Sequence, residues 1–188
     1  MKKIGINVFI TEGCRLTHES SVKLVKVAEE IFTKNGFNVE FPIISTTFVE
    51  KNLDNGISIY DFNVSNIKEN IVIQKPHSFA VVDHKELSLF DKSETINLIL
   101  VKSLHNTGID SWPSSLSLDE TNAIFVSETC FESSFAHSLM NHFGIKDQFH
   151  DPHCLSYGSE ILRKDTKMSE DEKLILSQEL SESITYNT

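Results

Sequence analysis

The residues best placed to do chemistry lie in HSLMNHFGIKD, residues 137–147. A helix that carries imidazoles at i and i+4 presents both on one face, where they can hold one zinc ion from the same side. A glutamate beside the first imidazole polarises the metal-bound water and takes its proton. A glycine after the helix lets the chain turn sharply, and a third ligand three residues later swings back to the metal. Laid on this chain by Gly144, that pattern puts the first ligand on His137 and the third on Asp147. The base falls on Ser138 and the second imidazole on Asn141.

The frame is kept, but two working residues are exchanged. The Ser138 hydroxyl is far too weak an acid to serve as a base near neutrality without an activating neighbour. Asn141 offers a neutral amide oxygen, a poor zinc ligand beside imidazole. His137 and Asp147 alone make two ligands, too few to hold zinc firmly, so the zinc-water mechanism is expected to be absent. The competing expectation is a remodelled metal centre, because His137, His142, His150 and His153 crowd one stretch. Such a centre would recruit His137, His142 or Asp147, with one of His150, His153 or Cys154. His142 sits about 140° around an ideal helix from His137, so it joins only if the helix unwinds before Gly144.

Other arrangements read as ordinary structure. Ser133, Ser134 and Ser138 stand near His137 without a G-x-S-x-G elbow, and Ser-rich helix starts are common. Cys130 and Cys154 read as buried thiols acting as small hydrophobes. No glycine-rich phosphate loop is present.

The elements that must position residues 137–147 can be read along the chain. A strand over residues 123–126, AIFV, leads into the motif helix. Thr129 and Glu132 stand at capping-box spacing, and Phe131, Phe135 and Leu139 supply an apolar face. Ser133, His137 and Asn141 form a polar stripe, and Gly144 is a good helix stop. Upstream, a strand at 3–10, an amphipathic helix at 17–35 and a strand at 37–44 open the chain β-α-β, which favours a parallel pair. Leu24, Ala28, Ile31 and Phe32 share the buried face of that helix. Short apolar runs at 57–62, 71–73 and 79–82 read as edge strands or loop anchors, and 95–101, TINLILV, as a central strand. Residues 102–121, rich in Ser, Asn and Pro, read as a surface loop. Ser169 and Glu172 cap a final helix bearing Leu176, Leu180 and Ile184.

Taken with these surroundings, the chain resembles the metzincin-type zinc metallopeptidases, with a degenerate form of their H-E-x-x-H-x-x-G-x-x-D motif. In that family a strand precedes the motif helix and a tight turn bearing a methionine follows it, as in "MSYG". The corresponding stretch is Cys154-Leu155-Ser156-Tyr157-Gly158, with Leu155 in place of the methionine. The resemblance implies one zincin-like domain over residues 1–188. Its expected class is α/β (α+β), a mixed twisted sheet with an N-terminal crossover helix, a central motif helix and a C-terminal helix. It also implies a catalytically degenerate pseudopeptidase, altered at Ser138 and Asn141, that binds a peptide or protein in the former active-site cleft. No cofactor is expected. On the competing reading, a metal-dependent enzyme that need not be a protease, zinc or another transition metal is held among His137, His142, Asp147 and His153.

Bulk properties narrow the partners. A net charge of −10, from 27 acidic and 17 basic side chains, argues against a nucleic-acid or anionic-membrane surface. Three cysteines without regular spacing make no disulfide framework. The apolar N-terminal run is broken by Gly5 and Asn7 and reads as a strand rather than a signal peptide. No stretch approaches the apolar length of a membrane span, and a cytoplasmic protein is expected.

Overall fold

Two mostly apolar runs, INVFIT and INLILV, each with one buried asparagine (Asn7 and Asn97), lie side by side at the centre of a sheet, buried on both faces as parallel central strands are. The computed structural model describes residues 1–11, 13–49, 61–63, 70–75, 78–83, 95–105, 114–118 and 122–182. In chain order these form β1 (Lys2–Lys3), β2 (Ile6–Thr11), α1 (His18–Lys34), β3 (Val39–Glu40) and β4 (Ile43–Val49). There follow β5 (Asp61–Asn63), β6 (Asn70–Lys75), β7 (Ser78–Asp83), β8 (Ile96–Val101) and β9 (Ser103–His105). The chain continues with β10 (Ser115–Leu118), β11 (Ala123–Ser127), α2 (Ser134–His142) and α3 (Glu170–Glu182).

The main sheet has the order β10-β11-β8-β2-β4, parallel throughout except for β10 at its edge. A second sheet, β7-β6-β5-β9, is mostly antiparallel, and β1 pairs with β3. This mixed α/β architecture is the one expected. The opening β-α-β crossover runs from β2 through α1 to β4, and the short runs at 71–73 and 79–82 lie in β6 and β7, while of the run at 57–62 only 61–62, in β5, fall within the described residues. The strand expected at 37–44 is split instead: only Val39 and Glu40 extend beside β1, and pairing with β2 starts at Ile43, just past Pro42. Residues 102–121 depart further from expectation. They contain β9 and β10, so a segment read as loop supplies the edge of the main sheet.

α1 starts on a capping box in which Thr17 and Ser20 exchange side-chain and backbone bonds, and ends before Gly36, whose φ of +95° suits glycine. Leu24, Ala28, Ile31 and Phe32 are all buried. Phe32, Phe41 and Phe135 form an edge-to-face chain, with ring centroids 5.5 and 6.5 Å apart, linking α1 to α2. Asn35 closes the same end of the molecule by donating to the Thr166 carbonyl and accepting from the Met168 amide, both at 2.9 Å. Among the described residues no helix is long and apolar enough to cross a membrane.

Candidate functional site

α2 is set by packing more than by its cap. The T-x-x-E signal at Thr129 does not cap it: the helix begins at Ser134, and Thr129 bonds the Ser127 hydroxyl instead. A turn formed by the Phe131 amide and the Ser134 hydroxyl leads into the helix. Phe135, Ala136, Leu139 and Met140 are fully buried, whereas Phe131, expected on that face, is 43% exposed. Gly144 ends the helix with φ +81°, as the sequence predicts, and the chain turns back.

That turn brings Asp147 to His137. The ring Nδ1–H of His137 donates to the Leu155 carbonyl at 2.8 Å, which leaves Nε2 facing Asp147 Oδ1 at 3.3 Å. His137 is buried, whereas the Asp147 side chain is 40% exposed. Gly158 makes room for the carboxylate, since a Cβ there would stand 3.2 Å from Asp147 Oδ2 and 2.5 Å from a Phe149 ring carbon. Burial pushes the Asp147 carboxyl up. The hydrogen bond and charge of His137, a hydrogen bond from Asn141 and the charge of Arg163 outweigh it, and the net shift is downward. Ser138 Oγ and Asn141 Oδ1 are buried with no hydrogen-bond partner among the described residues.

Two charged residues that the sequence did not single out complete the region. Arg163, its side chain 4% exposed, donates from Nη1 to the Ser133 hydroxyl at 3.0 Å and from Nη2 to the Tyr157 carbonyl at 2.9 Å. Its Nη1 lies 3.7 Å from Glu160, which accepts from the Ser134 hydroxyl at 2.9 Å. Burial pushes the Glu160 carboxyl above its ordinary value, against the pull of Ser134 and Arg163. An E-x-x-R pair in a polar stretch such as SEILRKD looks like any solvated helix pair, so no sequence signal marked it.

The remaining candidates disperse. His142 is half-buried and packs edge-on to Phe143, and His150 and His153 are exposed on the loop around Asp151. His137, His142, Asp147 and His153 form no cluster of three donors of the kind that holds a metal, among the described residues. Cys14, Cys130 and Cys154 are all free thiols.

The donors present do not fit a catalytic zinc ion. His137 and Asp147 face each other, Asn141 turns the donor end of its amide to Asp147, and the positive guanidinium of Arg163 acts on the same carboxylate. Ser138 beside His137 has no carboxylate to take a proton.

Neither a family model nor a curated protein matches the sequence. Solved structures do match it. Archaemetzincin from Methanopyrus kandleri aligns with a TM-score of 0.60 over 95% of this chain and 96% of its own, at 14% identity. Archaemetzincin from Archaeoglobus fulgidus, complexed with malonate, gives 0.52 at 11% identity over 92% and 99% of the two chains. Metalloproteinase-II from Bacteroides fragilis gives 0.53 at 10% identity, over 95% of this chain and 53% of that one. Such identities carry the fold and not the activity. The strand order, the helix turned at Gly144 and these likenesses together give the chain a fold similar to that of archaemetzincin.

Proposed function

We propose that this protein is a catalytically degenerate metzincin-like pseudopeptidase that binds an extended peptide or protein segment in the cleft beside α2. The observation that carries this reading is the pairing of His137 with Asp147, with Asn141 bonded to the same carboxylate. Groups that would bind a metal and activate water are turned on one another. The edge of the main sheet suits that binding. β10 is the edge strand of the main sheet and runs beside the start of α2, where the Ser115 hydroxyl donates to the Ser134 carbonyl at 3.1 Å. An extended segment can add to such an edge through backbone hydrogen bonds, with side-chain pockets giving selectivity.

The test is a screen of unlabelled protein against a peptide library, read by binding and by cleavage. Binding that weakens when backbone amides of the peptide are N-methylated, with no cleavage, is the expected result. Cleavage that a chelator abolishes would sink the proposal. The competing reading, a metal-dependent enzyme with a remodelled centre, draws on His137 keeping its orienting bond to the Leu155 carbonyl, as metal-bound histidines do. It requires metal in protein purified without added salts, and His137→Ala must remove it.

A further inference from the structure

We propose that the Arg163 guanidinium takes the place of a metal ion as the cation that fastens residues 145–168 to α2, so that the fold holds without metal. This rests on the degenerate-site reading above and extends it from chemistry to architecture.

Residues 145–168 contain no helix and only two isolated bridges, Gln148 with Tyr157 and Cys154 with Lys167. Its backbone bonds, such as those from the Gln148 amide to the Ser156 carbonyl and from the Lys164 amide to the Pro152 carbonyl, tie the segment to itself, and among the described residues only the Ile145 amide reaches α2, at the Met140 carbonyl. In metal-centred domains the ligands do much of the fastening to the rest of the fold. Here the fastening to α2 is made chiefly by side chains. His137 bonds the Leu155 carbonyl, and Arg163 bridges Ser133 at the start of α2 to the Tyr157 carbonyl. The Ser156 hydroxyl reaches Glu172, a member of the α3 capping box, which ties the same turn to the last helix. The charges follow a matching logic. Asp147 and Glu160 are two carboxylates on this segment, and Arg163 is the cation that acts on both. Buried to this extent, a guanidinium is stable only when paired and bonded, and removing it strands its partners. A zinc ion bound at His137 and Asp147 would meet the repulsion of that fixed positive charge.

The full chain provides the test. The wild-type protein, stripped with a chelator and then given zinc, is expected to melt at one temperature in both states. A gain of more than about 5 °C on adding zinc overturns the proposal. Arg163→Met is expected to lower Tm by about 10 °C, and an unchanged Tm overturns it. Should that variant not fold, Arg163→Lys is read instead. It keeps the charge but loses the two-point bridge, and a loss of about 5 °C is expected, an unchanged Tm again being fatal. A purely structural ion pair is separated from a metal substitute by zinc affinity in Asn141→His. Adding Arg163→Met to that variant is expected to tighten zinc about tenfold, and equal affinities overturn the proposal. Loss of peptide binding with an unmoved Tm in chelator would defeat the functional reading alone. A zinc-dependent Tm without proteolysis would defeat this inference alone.

Discussion

Nε2 of His137 lies 3.3 Å from Oδ1 of Asp147, across a turn that only the positive φ of Gly144 permits. The turn after α2 thus returns a carboxylate to the helix face that carries the imidazole.

Changing Ser138→Glu together with Asn141→His would supply a carboxylate beside His137 and a second imidazole on the face that His137 occupies. The double variant is expected to take up about one zinc per chain, more weakly than an intact site because Arg163 stays in place. Elemental analysis after dialysis checks it. No zinc uptake would mean that Gly144 does not anchor the alignment.

Gly144→Ala is expected to destabilise the protein by about 1 kcal/mol. Nothing lies within 4 Å of a Cβ built there, so the cost comes from the left-handed backbone and not from a clash. Gly144→Asn should cost less, since asparagine tolerates that conformation. Urea unfolding of both variants separates the two effects.

Phe135→Ala should cost about 3–5 kcal/mol, because a fully buried ring at the junction of α2 and Phe41 would leave a cavity. Phe131→Ala, on the exposed approach to the helix, should cost much less, within about 1 kcal/mol. Comparable losses in thermal denaturation would contradict the placement of α2.

Burial pushes the Cys14 thiol up to about 11, and burial together with the Asp151 carboxylate does the same for Cys154. The nucleophile is the thiolate, so raised values mean slow reaction at neutral pH. Alkylation of native protein should be slow at pH 8 and rise about tenfold per pH unit, whereas unfolded protein should react readily. Fast labelling of Cys14 at pH 7 would refute its partial burial in the loop before α1.

The fold was legible in the sequence where one local pattern admitted one solution. Leu24, Ala28, Ile31 and Phe32 repeat at helical spacing and all are buried on α1, and the Ser169–Glu172 box does cap α3. TINLILV is apolar at five of its seven positions and became a central strand. The edge strand β10 was not legible, because SLSL between polar residues has the composition of a loop and pairs only because β11 offers it a neighbour. The false cap at Thr129 shows the same limit, a correct spacing overridden by a turn that the core imposes further along.

The sequence by itself determined the frame of the candidate site. Helix periodicity places His137 and Asn141 on one face, and only glycine readily takes the turn at 144 that returns Asp147. Which groups then meet was decided by tertiary structure alone. Glu160 and Arg163 lie far along the chain from Ser133 and Ser134, and nothing local marks them as partners. Burial makes the difference, because a guanidinium and a carboxylate removed from water must find opposite charge and hydrogen bonds, and the start of α2 is where the folded chain provides them.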